Sequence, residues 1–300
     1  MNMATVSLIL PTRNRFSRLQ EALTALEVQT LKPFETIVID DGSTDGTAAF
    51  LAEWAAADPD HRRVIRGCGR GPAAARNLGV RSARGDIIAM TDDDCLPEPG
   101  WLSALVATLE ANPGAAAVGG RTLPVFPENL FSRYQERFSL GRPHTDPAGV
   151  SLVITNNAAF RRTAIEAVDG FDETHFFAGE DRDLSNRLRA RGFQLAYTPE
   201  ARIRHHNITD WQGFVRIAYK TGQGELLIHR RGSAGYKILR TAWWGRRLLY
   251  WVLIPGHARR LGAEGLASGE AWRFATLYAV SEAIRWFGAL SQWRHIVRGE

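Results

Sequence analysis

Three carboxylates in a row, Asp92-Asp93-Asp94, stand one threonine beyond the apolar run Ile87–Met90. Adjacent carboxylates at the end of a buried strand repel one another, and a bound divalent cation is the simplest compensation. Mg2+ and Mn2+ take oxygen ligands and keep waters, so one or two carboxylates plus the oxygens of a diphosphate complete an octahedral shell. Asp92 and Asp94 have the D-x-D spacing for that task. The plain alternative is a solvated acidic turn leading into a helix that starts near Glu98. A second acidic cluster, Glu180-Asp181 with Asp183, opens a helical pattern that runs to Arg191. The helix dipole favours negative charge there, so an acidic first turn is its bland reading.

The elements that must position these acids alternate along the first half of the chain. Near-continuous apolar runs at Val6–Leu10, Thr36–Ile39, Arg63–Ile65, Ile87–Met90 and Ala115–Val118 read as strands. Helical patterns fall between them at Phe16–Gln29, Thr47–Ala57, Ala73–Ala83 and Gly100–Ala111, the last closed by Asn112-Pro113-Gly114. Such strands between helices make a parallel sheet covered on both faces. Open sheets of this kind bind ligands at the carboxyl ends of their strands. Polar clusters stand at those ends: Pro11-Thr12-Arg13-Asn14, Asp40-Asp41-Gly42-Ser43 and the aspartate triplet. Neither a G-x-G-x-x-G turn nor a G-x-x-x-x-G-K-[ST] loop follows the first strand, so a nucleotide would be held by other means. The stretch from Arg121 to Val150, rich in proline and aromatics, reads either as a long functional loop or as an obscured helix.

Composition sets the outer limits. Three hundred residues, 45% of them hydrophobic, are ample for one large α/β domain with or without an appendage, and argue against disorder. Cys68 and Cys95 are too few for a disulfide framework or a zinc site, which suits a reducing compartment. No leader sequence and no membrane span are expected from the pattern. The formal charge of +5 hides an asymmetry: residues 1–200 carry a net −5 and residues 201–300 a net +10. Seven of the nine tryptophans also fall in that last third, so the chain reads as an acidic body with a basic, Trp-rich tail that has a separate task.

Taken in order and spacing, several short motifs over residues 4–225 resemble the family 2 glycosyltransferases of the GT-A fold. They are Val6-Ser7-Leu8-Ile9-Leu10-Pro11-Thr12-Arg13-Asn14-Arg15, Val38-Ile39-Asp40-Asp41-Gly42-Ser43-Thr44-Asp45, Ala75-Arg76-Asn77-Leu78-Gly79, Gly85-Asp86 running into Asp92-Asp93-Asp94, Gly170-Phe171-Asp172, and Gly179-Glu180-Asp181-Arg182-Asp183-Leu184. The resemblance implies a Rossmann-like, mostly parallel mixed sheet flanked by helices, with the basic tail as a helical extension. It divides the chain into a catalytic domain over residues 1–230, with a nucleotide-binding half to 120 and an acceptor half beyond, and a tail over 231–300. Members transfer a sugar from a nucleotide-diphosphate sugar to an acceptor hydroxyl, generally with inversion.

The same resemblance suggests roles. Pro11, Thr12, Arg13 and Asn14 would line the nucleoside pocket, Asp41 would accept a hydrogen bond from the base, and Arg76 would reach the nucleotide or merely pair with a helix acid. Asp92, Asp93 and Asp94 would hold the ribose and the metal diphosphate, with Mn2+ or Mg2+ on Asp94 and Asp92. His205 is a further metal ligand or one of a surface histidine pair with His206. Direct displacement at an anomeric carbon needs one base near the acceptor hydroxyl. Asp181 resembles that base and Glu180 is the competing candidate, while Asp183 is placed to pair with Arg187 one turn on. Phe214–Gly222 resembles a basic helix beside the acceptor or diphosphate.

The expected partners are a UDP-, GDP- or dTDP-linked sugar, a glycan or lipid-linked acceptor, no nucleic acid, and a second copy of the chain in a homo-oligomer. Between Lys237 and Leu261, Trp243, Trp244, Tyr250 and Trp251 interleave with Arg240, Arg246, Arg247, Arg259 and Arg260. Ala271–Leu290 repeats the theme with Trp272, Phe274, Leu277, Tyr278, Ile284, Trp286 and Phe287. Amphipathic rings and cations in that mixture suit the lipid interface, so the expected location is cytoplasmic, peripheral on the inner face of the membrane, in cell-envelope polysaccharide or glycoconjugate assembly. Packing of these helices on the protein itself is the competing reading. The other function classes are a sugar-phosphate nucleotidyltransferase, which usually carries a glycine-rich loop that this chain lacks, and a non-enzymatic basic module for membrane or nucleic acid, which leaves the acidic cleft without a purpose.

Overall fold

In the computed structural model, which describes residues 5–31, 35–174, 178–231 and 254–298, the apolar runs become strands, four of them reaching a residue or two past their expected ends and the run from Ala115 continuing well beyond Val118. The chain order begins β1 (Val6–Thr12), α1 (Phe16–Glu27), β2 (Glu35–Asp40), α2 (Thr47–Ala56), β3 (Arg62–Arg66), α3 (Pro72–Ser82), β4 (Ile87–Thr91), β5 (Cys95–Pro97), α4 (Trp101–Ala111) and β6 (Ala115–Pro124). It continues with α5 (Leu130–Gln135), β7 (His144–Asp146), β8 (Gly149–Leu152), β9 (Asn157–Arg161), α6 (Arg162–Glu166), α7 (Glu180–Ala190), β10 (Gln194–His205) and α8 (Trp211–Arg231). Helix α9 (residues 254–263) and α10 (Ser268–Arg298) end it.

Eight strands form one sheet in the order β3-β2-β1-β4-β9-β6-β10-β5. β1, β2, β3 and β4 pair in parallel, as do β6 and β10. The sheet is nevertheless mixed, not parallel throughout, because β9 runs antiparallel between β4 and β6 and β5 closes the edge antiparallel to β10. Alternate residues of each strand point to opposite faces. Leu8, Leu10, Val38 and Ala89 therefore pack with α1, α2 and α4, while Ile9, Ile37, Ile39, Ile88 and Met90 pack with α3, α6 and α7. Each fully buried Leu or Ile contributes about 1.5–3 kcal/mol, enough together to hold charged loops at the strand ends against their repulsion.

Two expectations need correcting. The acidic triplet does not lead straight into a helix near Glu98. β5 intervenes, and α4 begins at Trp101, since Pro97 and Pro99 bias the residues before them away from helical backbone. The stretch from Arg121 to Val150 is not one irregular loop either. β6 continues to Pro124, Asn129 Oδ1 accepts the Phe131 and Ser132 backbone N–H groups at 3.0 and 3.1 Å and so starts α5, a π-helical turn spans Glu136–Leu140, and β7 and β8 form a hairpin.

The residues divide into two compact units, one of residues 1–128, 135–176 and 180–207, and one of 129–134, 177–179 and 208–300. The first holds the sheet. In the second, α8 and α10 approach so closely that Gly222 and Gly288 have no room for a Cβ. Arg285 lies between Glu225 and Glu282 at 3.5 and 3.0 Å, and the Tyr134 hydroxyl shares a hydrogen bond with Ser281 at 2.9 Å. Phe274 and Leu277 are buried in this unit, whereas Trp272 and Phe287 are exposed. Trp243, Trp244, Tyr250 and Trp251 lie outside the described residues. No helix among the described residues is long and apolar enough to cross a membrane.

Candidate active site

The strand order reverses its direction of growth at β1, with β2 added on one side and β4 on the other. Loops leaving the carboxyl ends of such neighbours diverge and open a crevice. Pairing of β1 with β4 ends at Ile9 opposite Met90, so Pro11, which lacks a backbone N–H, falls where that partner strand is no longer paired with β1. A cavity of about 490 Å³ opens here, lined by Asn14, Arg15, Phe16, Ser17, Arg18, Asp45, Asp94 and His206.

The aspartate triplet lies at the end of β4 with a different partner for each acid. Asp93 is buried, accepting the Thr12 hydroxyl at 2.7 Å and Arg15 Nη1 at 3.0 Å. Burial pushes its carboxyl up to about 6, with Arg15 opposing and Asp94 adding to the shift. Asp94 accepts the same Arg15 nitrogen at 2.5 Å, and its other oxygen faces His205 Nε2 at 3.2 Å. Burial works against ionisation of Asp94 too, but His205 and Arg15 hold it well below the usual carboxylate range. Asp92 points elsewhere, toward Arg76.

His205 reaches Asp94 because β5 and β10 pair at the sheet edge, setting Cys95 opposite His205. Its Nδ1 lies 2.5 Å from Asn207 Oδ1 and donates there, while Nε2 faces the Asp94 carboxylate. Burial opposes the charged ring, but Asp94 and Asn207 raise its pKa, and a cation placed between Asp94 and His205 would take the position of the Nε2 proton. Asp94, Cys95 and His205 present one donor atom each within 4.8 Å of one another. Burial raises the Cys95 thiol well above its ordinary value and keeps it protonated. The donors left to the cluster are thus a hard carboxylate oxygen and a borderline imidazole nitrogen with no thiolate, a set open to Mn2+ or Mg2+ and poorly suited to a thiophilic metal. His206 turns the other way, with Nε2 2.9 Å from Glu21 and its ring beside Phe126.

Arg76 joins the two acidic clusters. Fully within α3, it donates Nη2 to Asp92 and Nη1 to Glu180, each at 2.8 Å, with its guanidinium 6.0 Å from the centre of the Phe171 ring. Burial disfavours its charge, yet Asp92, Glu180 and Asp181 together raise its pKa. The arginine therefore pairs with a helix acid, one of the two readings open from the sequence. Glu180 has an oxygen committed to it. Asp181, next along α7, instead accepts the Thr155 hydroxyl at 2.8 Å, and burial followed by repulsion from Glu180 lifts its carboxyl to about 7. Asp183 pairs with Arg187 Nε at 2.7 Å on the same helix.

On the β1–β2 side, Asn14 adopts a left-handed backbone, φ 53°, a conformation asparagine tolerates better than most residues. Its Oδ1 accepts the Thr44 backbone N–H at 2.7 Å and its own N–H donates to Ser43 Oγ at 2.9 Å, locking the loop after β1 to the loop after β2. Asp41 is buried, and each of its oxygens accepts one backbone N–H, from Gly69 and Gly71, at 2.9 Å. Arg13 lies along the same glycine loop, with Nη1 3.4 Å from the Gly69 carbonyl. The residues that reading the sequence missed are the supports: Arg15, Thr155, Asn207, Gly69 and Gly71. Arg15 closes the first quoted motif, but nothing in its spacing said that it would bridge Asp93 and Asp94.

A mixed, twisted sheet with its acids gathered at the carboxyl ends is the GT-A architecture. A mannosyltransferase, PcManGT from Pyrobaculum calidifontis in complex with GDP-Man and Mn2+, shares it with a TM-score of 0.68 at 22% identity, over 98% of this chain and 88% of its own. Residues 7–169 match the glycosyl transferase family 2. The O-antigen chain rhamnosyltransferase RfbN of Salmonella typhimurium is 31% identical over 230 residues, 72% of this chain and 71% of its own length. The pre-mycofactocin glycosyltransferase of Mycobacterium tuberculosis is also 31% identical, over 257 residues that make up 83% of this chain and 52% of that protein, so the chain spans about half the length of that relative. The chain belongs to glycosyl transferase family 2.

Proposed function

We propose that the chain is an inverting transferase that moves a hexosyl group from a nucleotide-diphosphate sugar to an acceptor hydroxyl. The observation that carries this reading is the bridge through Arg76, which ties the loop bearing Asp94 to the helix bearing Asp181. One cluster is then suited to the donor diphosphate and the other to the acceptor. Pro11, Thr12, Arg13, Asn14 and Asp41 would line the nucleoside end, and Asp92, here paired with Arg76, and Asp93, here held by Thr12 and Arg15, lie on the loop that would meet the ribose and diphosphate. Asp94 and His205, with Asp92 beside them, would hold Mn2+ or Mg2+, which supplies charge neutralisation for a departing diphosphate. The complex of the related mannosyltransferase with GDP-Man and Mn2+ supports a donor and metal of this class.

Asp181 is the proposed general base. Glu180 is already paired with Arg76, whereas Asp181 keeps an oxygen beyond the one that accepts Thr155 and has a carboxyl poised near neutrality, where a base is most effective. In the step itself the acceptor oxygen forms its bond to the anomeric carbon as the bond to the diphosphate oxygen breaks. The hydroxyl proton passes to Asp181, and the electron pair of the broken bond leaves with the nucleoside diphosphate. The likeness to an O-antigen rhamnosyltransferase supports a glycan or lipid-linked acceptor in envelope polysaccharide assembly. The basic tail over residues 231–300 supports docking on the inner face of the membrane beside a catalytic domain over 1–230.

A thermal-shift panel of UDP, GDP and dTDP with and without Mn2+ tests the donor assignment. A ligand of the native state at one hundred times its Kd adds about 2.7 kcal/mol of apparent stability. One nucleoside diphosphate should raise Tm only when Mn2+ is present. No shift with any of them would overturn the reading.

A further inference from the structure

Two arginines neutralise the acidic clusters, and the fold holds them in different ways. Arg76 is buried on α3, fixed by Asp92 and Glu180 with the Phe171 ring beside it. Arg15 is tied down at one nitrogen. Its Nη1 is shared by Asp93 Oδ1 at 3.0 Å and Asp94 Oδ2 at 2.5 Å, and among the described residues its side chain makes no other hydrogen bond. That side chain is 50% exposed, against 6% and 18% for the two carboxylates. Its backbone is anchored at the start of α1, where the Leu19 N–H donates to its carbonyl at 2.9 Å. The chain is therefore fixed there, and the long side chain is the part that can move.

The two acids that Arg15 joins are each set by the fold on their other oxygen. Asp93 Oδ2 accepts the Thr12 hydroxyl at 2.7 Å, and Asp94 Oδ1 faces His205 Nε2 at 3.2 Å. Arg15 meets them from the cavity that it lines with Ser17, Arg18 and Asp45. There a guanidinium performs the task expected of a metal, offsetting the repulsion of adjacent buried carboxylates. A cation between Asp94 and His205 would stand across one carboxylate from Arg15, and two positive charges that draw on the same anion weaken each other's hold. The two acids and Arg15 together leave one net negative charge for an ion that brings two positive ones. A diphosphate supplies the balance. Arg15 uses one nitrogen on the acids, and the rest of its planar fork of donors has the geometry that phosphate oxygens accept.

We propose that Arg15 is the resident counter-cation of the donor site: it neutralises Asp93 and Asp94 in the free protein, keeps metal binding weak until a nucleoside diphosphate arrives, and then turns its guanidinium to that diphosphate. The proposal rests on the transferase reading given above. It gives one residue two tasks, competing with the divalent ion for the charge of Asp94 and holding the donor once the ion is in place. Metal and donor then bind together, each weakly without the other.

The test compares the full chain with Arg15→Gln and Arg15→Lys, and with Arg81→Gln, an exposed arginine of α3 that controls for bulk charge. Calorimetry follows Mn2+ alone, then UDP, GDP and dTDP at saturating Mn2+. Arg15→Gln should bind Mn2+ alone about tenfold or more tightly than the wild type, the effect of removing one nearby like charge even at the dielectric of water. It should bind the nucleoside diphosphate about tenfold or more weakly, the loss expected of one charge-assisted hydrogen bond. Arg15→Lys, which keeps the charge, should hold Mn2+ as the wild type does, and Arg81→Gln should match the wild type in both titrations. A merely structural role would weaken both affinities together. Mn2+ affinity that does not rise in Arg15→Gln, a rise that Arg15→Lys or Arg81→Gln shares, or nucleoside diphosphate affinity that does not fall overturns the proposal. If Arg15→Gln does not fold, Arg15→Gln/Asp93→Asn, which also removes the carboxylate left without its cation, is compared with Asp93→Asn and must show the same rise in Mn2+ affinity. A wild type that binds no nucleoside diphosphate with Mn2+ brings down the transferase reading; where it does bind one, these outcomes decide the role of Arg15 alone.

Discussion

Replacing Asp181 by asparagine should slow the enzyme and stabilise it at the same time. In the folded chain, burial first and the neighbouring Glu180 second lift the Asp181 carboxyl from its ordinary 3.8 to about 7. Each pKa unit corresponds to 1.36 kcal/mol, so the fold disfavours the ionised carboxylate by about 4 kcal/mol. The sign follows from linkage. Below pH of about 4 both the folded and the unfolded chain keep the proton and nothing is lost. Between about 4 and 7 the unfolded chain releases it while the folded chain retains it, so stability falls as pH rises through that window. Asparagine has no proton to lose and can still accept the Thr155 hydroxyl. Urea unfolding at pH 4 should therefore show wild type and Asp181→Asn alike, and at pH 8 the variant should be more stable by up to about 4 kcal/mol. Over the same range, kcat/KM of the wild type should rise with pH to a plateau above about 7, and the variant should lose about a hundred- to ten-thousandfold in turnover. A stability difference that does not change with pH, or a variant that turns over like the wild type, would refute the reasoning.

Arg76→Met leaves Glu180 buried without its cation and should cost about 3–5 kcal/mol, and Arg76→Met/Glu180→Gln should recover much of that in urea unfolding, because the uncompensated charge is then gone. Glu180→Gln alone should retain far more turnover than Asp181→Asn; a dead Glu180→Gln beside an active Asp181→Asn moves the base by one residue. Asp94→Asn should abolish Mn2+-dependent transfer and weaken Mn2+ binding measured by calorimetry, since an amide cannot offset a divalent charge. Flotation with anionic vesicles should lift the full chain and not a chain ending at Gly232, each Lys or Arg near the surface contributing about 1 kcal/mol; if both stay in solution, the tail is a packing element.

What the sequence conveyed well is what periodicity and short-range chemistry determine. The strands around Val6–Leu10, Thr36–Ile39 and Ile87–Met90 and the helices between them were legible because their apolar residues repeat with the period of the element they form. The grouping of Asp41, Asp92 and Asp94 at one end of the sheet followed from parallel topology alone. Less legible was everything decided by pairing across the chain. The short edge strand at Cys95–Pro97 is too brief to show a pattern, yet it brings His205 to Asp94. The antiparallel insertion of β9 between β4 and β6 leaves no mark in composition, because a buried strand looks the same in either direction. Arg76 was visible as a basic residue on a helix, but its two carboxylate partners come from positions 92 and 180, and only the fold brings them together. Between Arg121 and Val150, prolines and aromatics concealed a capped helix and a π-turn whose signals are local hydrogen bonds, not hydrophobic repeats.

The central claim is that a sugar leaves a nucleoside diphosphate at Asp94 and is accepted by a hydroxyl at Asp181. Release of nucleoside diphosphate from a panel of UDP-, GDP- and dTDP-sugars, followed with wild type, Asp94→Asn and Asp181→Asn in the presence of Mn2+, tests it most directly. The account predicts metal-dependent release from one donor by the wild type, loss of both release and nucleoside diphosphate binding in Asp94→Asn, and loss of release with binding retained in Asp181→Asn. Release by Asp94→Asn and Asp181→Asn at the wild-type rate, or none from any donor by a wild type that binds no nucleoside diphosphate, would contradict it.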